Sequence, residues 1–480
     1  ELHGLQQGRL TDLVGQLRIS ALQITRPEFY DEALEFSNAG LDFRLSLDPF
    51  SVDLGQAELR DGETQLLMSG KLGADKTGWH VSLDAQLNRI TPDRLVALWP
   101  KVAIPRTRQW LADNLSAGVL RDVDVAVRAR AGNRPDVSLD FAYDDMDIRF
   151  MRTMPPVTGA SGRGSLLRHR FSTTATSGNI IADEGGTLDV AGTSFVIPDT
   201  RIKPGAPAEV HYRARGDVAT VLSLLDNEPL NVMQKSGLPV TIADGQVSGQ
   251  GDIKIFLKPR LEPDEVSFTV TGEVTRALSE TLVEGRALAA QALRIQGDET
   301  GIEIAGPARL DDVPLEAIWQ QPIGTPGATG TVTGRAVIGP DTLADFGIVL
   351  PPGTVSGSGF ADYTLELRGA KPRLTVFSDL EGLALRVPDL GWSHPAAGTG
   401  RLEMEMTLGA NPQVDRIALS ASGLEAAGRI ELDENGAAVE HNPLNGWAWT
   451  ATEFDGTGPV GNHCENWRGT GQGRKGNSSA

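Results

Sequence analysis

Apolar and polar residues alternate along most of this 480-residue chain, in runs of roughly eight to ten, the period-two pattern of half-buried β-strands. Leu41, Phe43, Leu45 and Leu47 alternate with Asp42, Arg44, Ser46 and Asp48. Trp79, Val81, Leu83, Ala85 and Leu87 do so against His80, Ser82, Asp84 and Gln86. The same rhythm runs through Val123, Val125 and Val127, through Val137, Leu139 and Phe141, and through Ile253, Ile255 and Leu257. It returns at Phe268 and Val270 and at Leu402, Met404, Met406 and Leu408. Successive strand side chains point to opposite sides, so each run has one apolar and one solvated face. Turn signals separate the runs, among them Arg60-Asp61-Gly62, Ala131-Gly132-Asn133, Glu184-Gly185-Gly186, Ala410-Asn411-Pro412 and Glu434-Asn435-Gly436.

Helical signals are few. Residues 91–99 open with Thr-Pro, an N-cap followed by proline at the first helical position. Residues 107–115, 216–225 and 341–347 are the other predicted helices. A glycine turn and a fresh alternating strand follow these helices, at Gly118, Gly245 and Gly353, which lie 127 and 108 residues apart (118 to 245, 245 to 353). The second and third copies share Gly-x-Val-Ser-Gly-x-Gly. Such recurrence predicts a stack of helix-plus-sheet units around 91–215, 216–340 and 341–440, each completed by its neighbours. Alternation stops near His441, and residues 441–480 read as an aberrant or disordered tail holding three of the eight tryptophans and the lone cysteine, Cys464.

Composition narrows the function. Aromatic residues are only 5%, with 55 glycines and 28 prolines, which suits many short strands better than a few thick cores. A net charge of −19 excludes a nucleic-acid partner and argues against a polybasic membrane patch. One cysteine allows no disulfide framework, and near-absence of thiols fits an oxidising compartment. No run approaches the roughly 18 apolar residues of a spanning helix. The chain opens at Glu1 without a signal-peptide pattern, so it reads as having lost an N-terminal part that would carry any anchor.

No catalytic constellation emerges, and no metal or cofactor is expected. None of His3, His80, His169, His211, His394, His441 and His463 sits at helical ligand spacing. Ser161, Ser356 and Ser358 lie in glycine-rich turns without a nucleophile elbow, and Gly70-Lys71 is followed by Leu72 instead of the Ser or Thr of a phosphate loop. The carboxylates Asp144, Asp145 and Asp147 lie where the apolar register shifts from Phe141 and Tyr143 to Met146 and Ile148, which predicts a β-bulge with solvated acids.

Residues 98–118, LWPKVAIPRTRQWLADNLSAG, resemble a signature of the AsmA-like superfamily, large inner-membrane-anchored periplasmic proteins of Gram-negative bacteria of the YhdP and TamB kind. Trp99, Pro100, Arg106, Arg108, Trp110, Asn114 and Gly118 carry the likeness. The segments Phe195–Asp199, Val221–Leu225 and Gly306–Leu310 running on to Trp319 extend it, so that it spans roughly residues 1–440. The resemblance implies a long, twisted, taco-like antiparallel β-groove with an apolar inside and a few short helices on its rim. It also implies a periplasmic role between inner and outer membranes, moving phospholipid and supporting outer-membrane integrity without enzymatic activity.

The pattern itself agrees. A ten-residue strand is about 33 Å long, and on the order of 30 strands at about 4.8 Å each would stack to near 140 Å. A soft lining of aliphatic side chains holds acyl tails at about 0.8 kcal/mol per buried CH₂ without fixing a pose. The expected lipid-lining positions are Leu41, Phe43, Leu45, Leu47, Val81, Leu83, Val123, Val125, Val127, Val137, Leu139, Phe141, Ile253, Ile255, Leu257, Leu402, Met404 and Met406. Asp42, Ser82, Asp124 and Ser138 should face outward, and Trp99 and Trp110 should wedge against the groove's edge. The expected partners are phospholipid acyl chains, the inner membrane through a missing anchor, and outer-membrane components. Two other readings share the alternation: a structural or adhesive β-repeat, and a TamB-like factor that assists outer-membrane protein assembly by strand addition.

Overall fold

The computed structural model describes residues 2–431 apart from 7–8, 259–260, 263–264, 326, 347, 349, 370 and 410–412. The tail 441–480 and the expected turns at 410–412 and 434–436 lie outside the described residues. The chain is mainly β, antiparallel, with few short helices. It divides into two compact units, Glu1–Val274 and Thr275–Ala480, and this division falls inside the second sequence repeat.

The first unit contains β1 (Leu2–Gln6), β2 (Arg9–Ile19), β3 (Leu22–Ile24), β4 (Leu34–Phe36), β5 (Asn38–Leu47), β6 (Phe50–Asp61), β7 (Thr64–Asp75) and β8 (Gly78–Ile90). Helices α1 (Pro92–Leu98) and α2 (Pro105–Asn114) follow, then β9 (Leu115–Ser116), β10 (Val119–Arg130), β11 (Asp136–Ile148), β12 (Val157–Leu167) and β13 (Arg170–Ile181). Next come β14 (Thr187–Asp189), β15 (Ser194–Ile197), β16 (Pro207–Asp217), α3 (Val218–Leu225), α4 (Val232–Ser236) and β17 (Asp244–Phe256). Strand β18 (Ser267–Val283) leads from the first unit into the second.

Neighbouring strands of the first unit pair antiparallel in the order β1-β2-β5-β6-β7-β8-β10-β11-β12-β13-β15-β16-β17. Because directions alternate, the chain leaves β2, β8, β11 and β16 at one edge of this sheet, and there the long connections lie: 20–37, 91–118, 149–156 and 218–243. The opposite edge has short links such as 48–49, 76–77 and 168–169. All four helices of the unit therefore sit on one edge.

The local chemistry explains these elements. Thr91 caps α1 by accepting from the Arg94 N–H, and Pro92 and Pro105 start α1 and α2 where no N–H is needed. The bulge expected near Asp144 is present, since the β11 register shifts between Tyr143 and Met146 and Asp145 has φ 52°. Gly118 has φ 70°, and a Cβ there would lie 2.5 Å from the Asp145 carbonyl oxygen and 2.6 Å from that of Asp144. Gly118→Ala is therefore expected to lower unfolding stability by about 2 kcal/mol or more, read as a lower urea midpoint at unchanged slope.

The second unit contains β19 (Arg286–Asp298), β20 (Gly301–Leu310), β21 (Val313–Pro322), β22 (Thr331–Ile338), α5 (Pro340–Asp345), β23 (Val355–Gly357), β24 (Gly359–Glu366), β25 (Arg373–Ser378), β26 (Leu383–Val387), β27 (Trp392–His394), β28 (Gly400–Thr407), β29 (Gln413–Ala421) and β30 (Leu424–Glu431). Its main sheet runs β19-β20-β21-β22-β24-β25-β28-β29-β30, all antiparallel. Strands β23, β26 and β27 form a small separate sheet over a core of Leu380, Leu383, Trp392, Ala421 and Leu424. In the first unit, buried cores are likewise local: Ile180, Leu188, Val190 and Leu224 beneath α3, and Tyr143, Met146 and Ala160 at the bulge.

Candidate binding surface

Partners in an antiparallel register share a face, so the pairing shows where each alternating run points. One row crosses ten strands of the first unit: Leu17, Leu41, Ala57, Met68, Ala85, Val125, Leu139, Leu166, Phe171 and Ile197. Nine strand steps at about 4.8 Å make this roughly 43 Å of unbroken apolar surface. The adjacent row reads Arg18, Gly40, Glu58, Leu67, Gln86, Asp124, Asp140, Ser165 and Ser172, and it faces the other way.

The expected lining residues of the first unit fall on the apolar face. Phe43, Leu45, Leu83, Val127 and Val137 extend it on one side through Leu54, Val52 and Val81, while Val123 opposes Leu87. Phe141, Ile253 and Ile255 extend it through Gly164, Phe195, Val210 and Ala208. Leu47 ends its strand exposed, and Leu257, one residue beyond β17, is likewise exposed while its N–H continues the ladder by donating to Ala206 O at 2.9 Å. Asp42, Ser82, Asp124 and Ser138 point to the other side, as expected.

The second unit repeats the arrangement by itself. Ile295, Ile304, Trp319, Val332, Leu365, Leu374, Met406 and Val414 form one row, with Met404 beside Val376 and Ile417, and Leu402 beside Leu419. The alternate row is Glu303, Gln320, Thr331, Glu366, Arg373 and Thr407.

The polar faces carry cross-strand ion pairs, including Arg18–Asp42 at 2.7 Å, Lys71–Asp53 at 3.0 Å, Arg128–Asp84 at 2.7 Å and Arg335–Asp362 at 2.6 Å. The guanidiniums of Arg18 and Arg335 hold the carboxyls of Asp42 and Asp362 below the usual range. The apolar faces, by contrast, are not covered by another layer among the described residues, nor fully open: Leu41, Met68, Val125, Leu139, Leu166 and Ile253 are half-buried. A layered domain would bury such a row under a second layer. A concavity of about 850 Å³ crosses the same strands and is lined by residues of both rows, Met68, Val125 and Leu139 of one and Gln86, Asp124 and Asp140 of the other.

Tyrosines keep polar groups off this face. Tyr212 on β16 lies opposite Gly251, and its hydroxyl donates across that glycine to the Thr269 carbonyl at 3.0 Å. Tyr363 on β24 does the same across Gly334 to Glu316 at 2.9 Å, and Tyr143 lies over Gly162, accepting from the Thr173 hydroxyl at 3.3 Å. Burial raises all three phenols, and burial with the nearby Glu316 carboxylate pushes Tyr363 up to about 12. The unfolded phenol ionises near 10, so between about 10 and 12 the unfolded chain gives up a proton that the folded chain keeps. Stability from Tyr363 is thus full below pH 10 and is lost as pH rises toward 12. Denaturant melts across this range should show an alkaline decline in the wild type that Tyr363→Phe reduces.

The signature residues gather at one edge. The Trp99 indole N–H donates to Ala103 O at 2.6 Å, Arg108 Nε donates to Trp99 O at 3.1 Å, and the Arg108 guanidinium pairs with Asp31 at 2.8 Å. The Asn114 side chain donates to Trp110 O at 2.8 Å, and Pro100 precedes the turn into α2. Trp110 is a correction: no residue of α2 is buried, and its ring stands exposed instead of wedged against the sheet.

No family model, curated protein or solved structure matches the chain. Among the described residues, no group of three or more His, Cys, Asp or Glu is placed to hold a metal ion, and no helix is long and apolar enough to cross a membrane.

Several lining residues escape a reading of alternation alone. Leu13, Leu54, Leu72, Leu166 and Phe195 join the face only through the register. The available signal was glycine at an apolar rung, since Gly15 opposes Phe43, Gly70 opposes Leu83 and Gly164 opposes Phe141.

Proposed function

We propose that this chain is an AsmA-like periplasmic protein whose apolar sheet face carries phospholipid acyl chains between the inner and outer membranes, without enzymatic activity. The observation that carries this reading is the ten-strand apolar row, mostly half-buried and without a second layer over it among the described residues. Water against so long an aliphatic surface is unfavourable, and each lipid CH₂ that displaces it gains about 0.8 kcal/mol. Aliphatic side chains impose no directional contact, and the tyrosine hydroxyls are already bonded to the backbone or to Thr173, so a tail can slide without meeting a deep local site.

Mass spectrometry of an organic extract of the protein, purified without detergent, tests this directly. Phospholipid in at least equimolar amount is the expected result. A lipid-free protein that takes up no labelled phospholipid from vesicles would leave the structural-repeat reading in its place.

A further inference from the structure

The edge of the first unit that bears the helices brings exposed apolar side chains and arginines together. Three of its connections are tied side by side: the Lys101 N–H donates to Phe29 O at 2.7 Å, the Arg149 N–H donates to Asn114 O at 2.8 Å, and Arg108 reaches Asp31. Their tips expose large apolar side chains. Val102 is 65% exposed, Ile104 55%, Phe150 49% and Trp110 48%, with Phe29 and Met151 exposed beside them. Cations flank the tips of the second and third connections, while the first, with Phe29, carries Glu28, Asp31 and Glu32 beside Arg26. Residues 99–110 and 148–156 contain Lys101, Arg106, Arg108, Arg149 and Arg152 and no acid, in a chain of net charge −19. Asp31 pairs with Lys101 and Arg108, whereas Arg106, Arg149 and Arg152 stand exposed without an ion pair among the described residues. Ile104 is also held at φ 47°, a left-handed conformation that a β-branched residue resists, and this strain serves to present an exposed side chain and not a packed one.

From these residues we infer that this edge docks on the surface of an anionic phospholipid bilayer, with Val102, Ile104, Trp110, Phe150 and Met151 entering the headgroup–acyl boundary and Arg106, Arg149 and Arg152 meeting phosphate. Short apolar tips flanked by arginine are suited to such an interface, where an aromatic ring sits at headgroup level and the guanidinium stays in contact with charge. The overall negative charge does not oppose it, because screening limits repulsion from distant acids to about a Debye length, near 8 Å in physiological salt. The inference goes beyond lipid carriage: the sheet face could hold acyl chains with no membrane at this edge, and the edge could dock with the face empty.

Co-sedimentation of the whole chain with vesicles tests it, using phosphatidylglycerol and phosphatidylcholine in equal parts against pure phosphatidylcholine. The wild type should partition at least tenfold more strongly onto the anionic vesicles, and less so as salt rises. The triple variant Arg106→Gln, Arg149→Gln, Arg152→Gln should lose that preference. The pair Ile104→Ser, Phe150→Ser should bind at least tenfold more weakly to both vesicles. All five positions are exposed, so circular dichroism should be unchanged, and lipid carried through purification should remain if only docking is lost. Equal binding to both vesicles, indifference to the variants, or no vesicle binding at all would overturn the inference; the last would point to an acidic protein partner for the same edge.

Discussion

Replacing Val125 by Asp is expected to strip the purified protein of bound lipid while leaving its sheet folded. Val125 lies at the middle of the apolar row, between Ala85 and Leu139. Its side chain is half-buried with no second layer above it among the described residues, so in the empty protein the new carboxylate keeps much of its water. The stability loss should therefore stay near the 1 kcal/mol typical of point substitutions, far from the cost of a charge in a closed core. An acyl tail crossing residue 125 must displace that water, and leaving a polar group without its hydrogen bonds costs about 2 kcal/mol or more. At 1.4 kcal/mol per decade, lipid retention should fall by more than tenfold. Val123→Asp, opposite Leu87, should behave alike, whereas Ser138→Lys on the other face should change nothing. Phosphorus per mole of protein and circular dichroism read the two quantities separately. Full lipid retention in a folded Val125→Asp protein would remove this face from the proposed path.

The sequence was most informative where a residue's environment is set locally. Alternation located the strands and the side each residue takes, because strand geometry has a period of two whatever the strand's neighbours are. The four predicted helices are present, each announced by a proline, a cap or an apolar run. Helix α4 was hidden because Val232–Ser236 is too short for a helical period and is bounded by left-handed Asn231 and Gly237. What alternation could not give is register. The row through Met68 is masked in sequence by the run Leu66-Leu67-Met68, and only pairing with Ala57 and Ala85 shows that Leu67 points away. Trp110 misled for a related reason: an aromatic residue on a helix reads as packing, but α2 lies along an edge with no layer to receive it. The local run of Lys101, Arg106, Arg108, Arg149 and Arg152 was invisible in a net charge, which averages it with acids along the whole chain.

The largest loss of stability is expected from Gly251→Val. Gly251 on β17 pairs with Tyr212 on β16, and the ring crosses it to reach the Thr269 carbonyl on β18. A Cβ at 251 would overlap that carbonyl oxygen and come within 2.8 Å of the tyrosine hydroxyl. The first obstacle is backbone, so no rotamer change relieves it; either β18 moves off β17 or the ring is expelled into solvent. Valine adds two methyl groups to the same collision. An unfolding loss above about 4 kcal/mol is expected, in the range reserved for overpacking or backbone strain. Tyr212→Phe should cost only about 1 kcal/mol, the net worth of one hydrogen bond. Adding Tyr212→Ala to Gly251→Val should recover part of the loss at most, because the carbonyl still blocks the new side chain. Gly334→Val should act the same way in the second unit, where Tyr363 crosses Gly334 to Glu316. Urea unfolding of the single and double variants measures all of these. If Gly251→Val cost no more than Tyr212→Phe, the glycine would be incidental, and the close approach of strands beneath each tyrosine would not be what this position requires.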